Sequence, residues 1–344
     1  MLGLIFTSMQ TFADTRAQAL LLHNGQGTSF DADQLQEAVN AAVAGDTIYL
    51  SEGTFTLAHD SLAIDKEISI VGAGVEVCKI GGVVTISIDG KPTLKQTLLE
   101  SVKITRNVEV QKEVRGISLR KCWVGGWFSP VTGVTDIKID RCYLQQLTLE
   151  HEGKMSITLN NCIIFTIGTV RNLGNNFSEG NDVNFINCSI SNLRHTFTRA
   201  ATYQNCIIGG SDVSGVGNIY NNTFINTLLN TVSDTYNPRL NGSGIYIYTN
   251  VASATNTGNV KTNCYESAFT MSYDGLLNNF PIFKITAETL RENRFLGTDG
   301  TVVGAYGGAT PYSQQSEGIA IKESILRVDP ETKQLNVTLK VATE

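Results

Sequence analysis

Residues 117–225 contain one short phrase written six times: ISLRKCWV, IKIDRCYL, ITLNNCII, VNFINCSI, ATYQNCII and NIYNNTFI. One slot of the phrase holds cysteine five times and threonine once, at Cys122, Cys142, Cys162, Cys188, Cys206 and Thr223. Successive slots are 20, 20, 26, 18 and 17 residues apart. Such a repeat is typical of a solenoid with one β-coil per repeat, since helical-hairpin repeats need roughly 34 residues or more.

Apolar residues alternate on both sides of the slot, and the alternation changes phase just before it. In the first phrase Ile117 and Leu119 share one face, and Cys122 and Val124 share another. The change of phase predicts a bend, whose residues in successive phrases are Lys121, Arg141, Asn161, Asn187, Asn205 and Asn222. Asparagine tolerates the left-handed conformation, and matching positions of stacked coils lie about 4.8 Å apart, close enough for amide ladders. The sequence therefore predicts an all-β fold, a parallel β-helix.

This pattern resembles the right-handed, single-stranded parallel β-helix proteins of the pectate-lyase-like superfamily. The stretch FDADQLQEAVNAAVAGDTIYLSEGTFTL at 30–57 is similar to the capping helix and first coil of secreted members. The stretch FLGTDGTVVGAYGGATPY at 295–312 is similar to the closing segment of the Bacteroidetes-type proteins. The resemblance covers most of the chain and implies a fold. It implies no single activity, because the superfamily hosts lyases, hydrolases, esterases, phage spikes and adhesins.

The parallel β-helix is predicted over residues 14–310, and elements near both ends of the chain are expected to cap it. A lead-in strand is predicted over 14–29 and a capping helix over about 31–44, with Asp31 as N-cap and Gln34 completing a capping box. A short helix is also predicted over 282–294. Residues 311–344 predict a C-terminal β-hairpin or truncated β-module, because two alternating stretches flank the turn DPETKQ.

Composition favours an exported protein. The 344 residues carry a net charge of −6, which gives no indication of a nucleic-acid partner. The apolar stretch at 2–13 is shorter than the roughly 20 residues of a membrane span, so no membrane span is predicted. It resembles the hydrophobic region of a signal peptide over 1–13. No Lys or Arg precedes it, so either the true start lies upstream or this interpretation is wrong. The expected location is secreted, periplasmic or at the cell surface.

Seven cysteines are expected to remain thiols. Stacked slots about 4.8 Å apart with parallel Cβ vectors do not suit disulfide geometry. The slot cysteines are therefore predicted to form a buried thiol column, with Ser101 as an earlier and Cys264 as a later occupant. No CxxC pattern indicates a metal site.

The resemblance implies a polysaccharide groove along the outer face of the first strand of each coil. By elimination, that strand is expected in the segments 147–154, 167–182 and 191–200. The candidate catalytic residues there are His195, Arg194, Arg171, Arg199, Lys154 and His151. An arginine would neutralise a uronate carboxylate, and His195 or Lys154 would remove the neighbouring proton. A calcium-dependent lyase would use Glu179 and Asp182 as ligands.

The alternative is that these are ordinary solvated residues of a β-surface. The catalytic motifs of polygalacturonases and pectin methylesterases, and the common pectate-lyase signature, are absent from the sequence.

A second candidate site is the column that follows the slot. By alternation Trp123 and Tyr143 face outward, where aromatic rings can stack on sugars. Trp127, Arg120 and Asp140 complete the predicted carbohydrate-binding set. The alternative is that the stretch GGWF at 125–128 folds back over the column and buries it.

Three functional hypotheses remain open from the sequence. The first is a module that binds a polysaccharide or cell-surface glycan without catalysis. The second is a polysaccharide lyase acting by β-elimination on uronic-acid glycans, or a related carbohydrate-active enzyme, with no cofactor unless calcium is used. The third is a structural adhesin.

Overall fold

The computed structural model describes residues 17–88, 97–111, 114–131, 133–149, 155–168, 182–194, 201–208, 211–212, 223–230, 241–243, 245–248, 260–261, 272–273, 281–282, 291, 295–313, 320–328 and 335–342. Across them the chain forms a parallel β-solenoid, in which successive coils add a strand to each of two large sheets. The inward side chains of both sheets form one continuous apolar core.

The elements follow one another in chain order. Those that begin before residue 120 are β1 (Gln18–His23), β2 (Gln26–Asp31), α1 (Leu35–Ala41), β3 (Thr47–Leu50), β4 (Gly53–Ile64), β5 (Ser69–Gly72), β6 (Cys78–Ile86), β7 (Thr97–Glu100), β8 (Lys103–Ile104), β9 (Val108–Val110) and β10 (Arg115–Arg120). Those that follow are β11 (Trp123–Pro130), β12 (Thr135–Asp140), β13 (Tyr143–Thr148), β14 (Ser156–Asn160), β15 (Ile163–Gly168), β16 (Asp182–Ile186), β17 (Ser189–Arg194), β18 (Ala201–Gln204), β19 (Ile207–Ile208), β20 (Ser211–Asp212), β21 (Thr223–Ile225), β22 (Leu228–Asn230), β23 (Asn241–Ser243), β24 (Ile245–Tyr248), β25 (Val260–Lys261), β26 (Ser272–Tyr273), β27 (Pro281–Ile282), β28 (Ala320–Val328) and β29 (Leu335–Ala342).

Each coil places one strand in sheet A, bends, and continues into sheet B. Sheet A has the order β2-β1-β3-β5-β7-β10-β12-β14-β16-β18-β21-β23. Sheet B has the order β25-β24-β22-β19-β17-β15-β13-β11-β8-β6-β4, with β9 beside β11 and β6, and β20 beside β17. The pairing is parallel from β3 onward in sheet A and throughout sheet B.

The first five phrases of the repeat stack in register, as the sequence predicts. Tyr143 pairs with Trp123 on one side and with Ile163 on the other, and the order continues into β17 and β19. The sixth phrase was predicted four residues too early. Ile207 pairs with Leu228, so Thr227 fills the slot in place of Thr223. The interval between the slots at Cys206 and Thr227 is therefore longer than the interval that was predicted with Thr223 in the slot.

The bend before the slot is left-handed. The φ angles are 51° at Lys121, 52° at Arg141, 49° at Asn161, 50° at Asn187 and 55° at Asn205, which confirms the prediction for five phrases. In the sixth coil the bend residue is Asn226 (φ 43°), whereas the predicted Asn222 lies outside the described residues. One coil earlier Ser101 (φ 54°) is the bend residue, so it is not in the slot as predicted.

The slot itself holds a column of thiols that begins earlier than the sequence indicated. Lys79 and Lys103 pair in register, which puts Cys78 and Val102 in the slot of consecutive coils. All six cysteines among the described residues are free and buried, as predicted, whereas Cys264 lies outside this part of the chain. Cys122 Sγ lies 3.2 Å from the carbonyl oxygen of Leu99 in the preceding coil. The thiols are thus small core residues that also donate hydrogen bonds across coils.

The N-terminal elements differ in detail from the prediction. The predicted single lead-in strand is two antiparallel strands, β1 and β2, joined by a turn in which Asn24 and Gly25 have φ of 48° and 77°. Helix α1 is shorter than the predicted 31–44 and buries Leu35 with two further apolar residues. Asp31 ends β2 and is not the N-cap; only half of the capping box forms, with the Asp31 backbone N–H donating to Gln34 Oε1 at 3.1 Å.

The C-terminal third contributes two further strand pairs. Strands β26 and β27 pair antiparallel, so the predicted helix over 282–294 does not include its first residue, Ile282, which lies in β27. Strands β28 and β29 also pair antiparallel. Both lie within the stretch 311–344, for which the sequence predicted a β-hairpin or a truncated β-module.

Candidate functional site

An exposed tryptophan stands on the outer surface of sheet B. Strand β11 has a bulge between Val124 and Trp127. A Cβ on Gly125 would lie 2.8 Å from the Thr105 carbonyl oxygen, and one on Gly126 would lie 2.2 Å from Asn107 Oδ1. The glycine pair therefore permits a close approach to the preceding coil, as glycines at bulges do. Beyond the bulge the Trp127 side chain is 45% exposed.

Polar side chains surround Trp127 on the same surface. Asn107 Oδ1 accepts a hydrogen bond from the Trp127 backbone N–H at 3.2 Å, which holds the amide beside the indole. Gln146 pairs in register with Trp127 in the next coil, and its Nε2 donates to Thr148 Oγ1 at 3.1 Å. We call the following set the Trp127 face: Asn107, Glu109, Trp127, Ser129, Gln146 and Thr148, of which Thr148 is only 6% exposed.

The Trp127 face rests on a rigid base. Val108, Phe128 and Leu147 alternate with the outer residues and are fully buried in the core. Ser129 pairs in register with Glu109, so their backbones are about 4.8 Å apart along the stack. Because the strands are fixed by the core and by both neighbouring coils, the outer side chains are presented in a pre-organised row.

The charge of this surface is low. Glu109 is the one ionisable residue in the Trp127 face. Nearby, Arg106 forms an ion pair with Asp60 at 3.2 Å, and both side chains are more than half exposed. An exposed pair of this kind contributes little to stability.

The predicted aromatic pair at the slot is covered. Trp123 and Tyr143 stack with their ring centroids 4.0 Å apart, yet they are only 9% and 2% exposed. Tyr312 and Ala305 pack against them from outside. Their ring faces are therefore occupied by the protein itself, and burial raises the pKa of the Tyr143 hydroxyl well above its usual range.

Residues 295–313, which we call the strap, provide this cover. The strap runs along the bend column, and the bend asparagines bind it. Asn161 Nδ2 donates to the carbonyl oxygens of Ala305 at 3.1 Å and Gly307 at 2.6 Å. Asn205 Oδ1 accepts from the Thr298 backbone N–H at 2.8 Å. The alternative in which GGWF buries the column is wrong, because that stretch stays in β11 and leaves Trp127 exposed.

Arg120 and Asp140 belong to a different surface. They end strands of sheet A, on the other side of the bend from Trp127. Arg120 forms an ion pair with Glu100, and Asp140 Oδ2 accepts from Arg141 Nε at 2.8 Å. The structure therefore does not bring the five predicted carbohydrate-binding residues together: Trp123 and Tyr143 in sheet B are covered, two residues end strands of sheet A, and Trp127 is the one that is exposed on sheet B.

The predicted catalytic segments begin in sheet B. Leu147 pairs with Ile167, and Ile167 pairs with Leu193, so the starts of the three segments stack on one another. Arg194 follows in β17 and pairs in register with Asp212 of β20. The other catalytic candidates, His151, Lys154, Arg171, His195 and Arg199, lie outside the described residues, so their role stays a prediction.

The predicted calcium ligands are equally untested. Glu179 lies outside the described residues, and Asp182 is an exposed residue at the start of β16 in sheet A. Asn184 Nδ2 donates to Asp182 Oδ1 at 2.5 Å. Within the part of the chain that the structure describes, no group of three or more His, Cys, Asp or Glu is placed to hold a metal ion.

No protein-family model matches this chain, and no curated protein matches it. Among the described residues, no helix is both long and apolar enough to cross a membrane.

Five residues of the Trp127 face were not among the predicted site residues, namely Asn107, Glu109, Ser129, Gln146 and Thr148. A usable signal was present in the paired glycines before Trp127, because Gly-Gly inside a strand indicates a bulge. A bulge resets the alternation, and counting outward positions from Trp127 instead of from the slot selects Ser129 in the same strand.

Proposed function

We propose that this chain is an exported, right-handed parallel β-helix protein that binds a polysaccharide or cell-surface glycan along the outer surface of sheet B. The observation that carries the proposal is the exposed Trp127 ring, held on a rigid strand and flanked by amides and hydroxyls. A sugar ring offers an apolar face to an indole and hydroxyl groups to polar neighbours. In this proposal α1 and the β28–β29 hairpin cap the two ends of the solenoid.

The resemblance to the pectate-lyase-like superfamily supports the same surface. In that superfamily the glycan lies along the outer face of one strand in each coil, and the segments expected to hold that strand begin in sheet B. The Trp127 face lies on the same sheet, in the coils just before β15 and β17.

The test is binding to a panel of soluble polysaccharides, measured by affinity electrophoresis and by calorimetry for each positive. We expect Trp127→Ala to weaken binding at least tenfold, since stacking on an aromatic ring is the central contact. Tyr49→Ala is the matched control, because Tyr49 is an aromatic residue of sheet A that is 41% exposed. Equal loss in both variants, or unchanged binding in Trp127→Ala, would contradict the proposed site.

A second candidate function is a polysaccharide lyase centred near Arg194. The observation that favours it is the register of Leu147, Ile167 and Leu193, which brings the starts of the predicted catalytic segments side by side in sheet B. Incubation with uronic-acid polysaccharides would then release unsaturated products that absorb in the ultraviolet, and Arg194→Ala would abolish their release. Binding without any such product, with and without calcium, leaves the binding module or a structural adhesin.

A further inference from the structure

We infer that the glycan bound at the Trp127 face is electrically neutral, and that the Glu109 carboxylate accepts hydrogen bonds from its hydroxyl groups. This inference rests on the proposed function and names its class of ligand. Hexose and pentose polymers without carboxylate or sulfate groups belong to this class. Uronic-acid polymers, which the lyase hypothesis requires, do not.

The Trp127 face carries little charge, and the charge that it carries is negative. Five of its six residues are neutral, and the sixth, Glu109, is an acid on the outer side of β9. The nearest described cation in the neighbouring turn is Arg106, which is paired with Asp60 at 3.2 Å. An anionic sugar stacked on Trp127 would therefore meet a carboxylate and no free cation among these residues. Like charges at short range oppose binding.

The Trp127 face presents several kinds of hydrogen-bonding group. Asn107 and Gln146 supply amides, Ser129 supplies a hydroxyl, and Glu109 supplies two acceptor oxygens. Sugar hydroxyls are donors as well as acceptors, so they can satisfy all three kinds of group. A hydroxyl that donates to an ionised carboxylate makes a charge-assisted hydrogen bond, which is stronger than one between neutral groups.

Glu109 lies close to the Trp127 indole in the strand register. Ser129 pairs with Glu109 and lies two residues after Trp127 in the same strand. Glu109 is therefore the diagonal neighbour of Trp127 across adjacent strands, and the two Cα atoms are about 7–8 Å apart. A pyranose stacked on the indole has its ring hydroxyls at its rim, where a diagonal neighbour can receive them.

The charges further along the stack do not reverse this conclusion. Arg194 lies two strands beyond β13 in sheet B, and its register partner in the next coil is the acidic Asp212. In the register of the strands a basic position is therefore matched by an acidic one, and Glu109 is a further acid of the same row.

The experiment compares neutral polysaccharides (galactan, mannan, xylan and β-glucan) with polygalacturonate and alginate, at low and high salt. For wild type we expect binding to at least one neutral polymer, unchanged by salt within twofold. Glu109→Gln should weaken that binding roughly three- to tenfold, because the charge assistance is lost while one acceptor remains. Glu37→Gln, in the exposed first turn of α1, is the control that removes one negative charge elsewhere.

The outcomes separate the inference from the proposed function. Preferential, salt-sensitive binding of wild type to a uronate polymer would overturn the inference and leave the proposed function standing. Tighter binding of a neutral polymer by Glu109→Gln would also overturn it. No binding to either class by wild type would overturn the proposed function itself, and the inference with it.

Discussion

At the thiol column, each sulfur sits between two coils. Cys162 Sγ lies 3.4 Å from the Ile139 carbonyl oxygen of the preceding coil and 3.1 Å from that of Asn160. In the last described coil of the column Thr227 takes the same place, and its Oγ1 donates to the Tyr203 carbonyl oxygen at 2.9 Å. The slot thus accepts a small side chain, which carries one hydrogen-bond donor in every coil but that of Val102. Cysteine and threonine can therefore replace one another at this position although their chemistry differs elsewhere.

Burial keeps four of these thiols protonated and makes stability depend on pH in the alkaline range. Burial raises the pKa of the Cys78 thiol to about 11 from its ordinary 9.0, and it raises the pKa of Cys142, Cys162 and Cys206 as well. Above pH 9 the unfolded chain releases protons that the folded chain still holds. The free energy of unfolding is therefore expected to be constant below about pH 8.5 and to fall between pH 9 and pH 11.

Chemical denaturation at a series of pH values checks this expectation. Each thiol contributes up to about 1.4 kcal/mol per pH unit within its window. Cys78→Ser removes one titrating group and keeps a small donor, so its slope should be shallower by up to that amount. Tyrosine and lysine titrations are common to both proteins and cancel in the comparison. Stability that rises from pH 9 to pH 11, or identical slopes, would show that the thiols ionise in the folded state.

Among the elements, the strap is the one that sequence patterns did not reveal. Alternation correctly placed Trp123 and Tyr143 on the outside of sheet B, but the segment that covers them lies more than 150 residues later in the chain. Local patterns carry no information about such a contact. The strap sequence was recognised only as a closing segment, without any indication that it runs back along the bend asparagines.

Gly304 is the strap residue at which a substitution is expected to release the segment. Its φ is +89°, and a Cβ there would lie 2.5 Å from Ile207 Cδ1 and 2.9 Å from Ser189 Oγ. Gly304→Ala should therefore weaken docking of the strap by about 1–3 kcal/mol, from strain and lost contacts. Trp123 would then become exposed, and its fluorescence emission would shift to longer wavelength.

The measurement is best made in a Trp127→Phe background, because the chain has only two tryptophans. Gly300→Ala is the matched control: Gly300 also has a positive φ, +75°, but nothing lies within 4 Å of its Cβ position. We expect its emission to stay close to that of the parent. A red shift of equal size in both variants would mean that backbone strain alone, and not the contact with Ile207 and Ser189, controls the strap.

The elements that the sequence predicted well are those fixed by neighbours in the repeat. Left-handed bends were predicted because asparagine recurs before the slot, and Lys121 and Arg141 adopt the same φ because the stack imposes it. The elements that the sequence patterns did not predict are not fixed by neighbours in the repeat. The β1–β2 turn had a usable signal in Asn24–Gly25, whereas the sixth phrase failed because Thr223 and Thr227 both follow an asparagine in a similar run of letters.

For the whole molecule, the site was harder to predict than the fold because the two depend on different faces. Core positions such as Phe128 obey alternation, since burial penalises any exception. Outer positions carry no such constraint, so Trp127 and Glu109 are placed only once the bulge in β11 is known. The predicted set mixed three surfaces, namely the strap-covered column, the end of sheet A and the Trp127 face. Only the last presents an exposed aromatic ring with polar neighbours.

A solenoid built from interchangeable coils should tolerate the loss of one complete coil. Deletion of residues 103–122 joins Val102 to Trp123, and both ends are then in phase because Val102 and Cys122 occupy the same slot. Strand β11 would take the place of β8 and β9 beside β6, and β12 would take that of β10 beside β7. The bend at Ser101 and every contact of the strap with Trp123 and later coils are retained. Stability of such arrays is approximately a sum over repeats and their interfaces.

We expect this variant to fold, with a single cooperative unfolding transition and a free energy of unfolding lower than that of the parent by a few kcal/mol. It should also bind glycan more weakly, because Asn107 and Glu109 are removed while Trp127 remains. The control is deletion of residues 103–112, which is half a coil. This deletion puts β10 where a strand of sheet B belongs, and it leaves two bends without the matching bends of adjacent coils. Circular dichroism and denaturant unfolding distinguish the two, since the half-coil variant should lack a cooperative transition. If the full-coil deletion is equally unfolded, the coils are not independent units, and stacking of identical slots is not what holds this chain together.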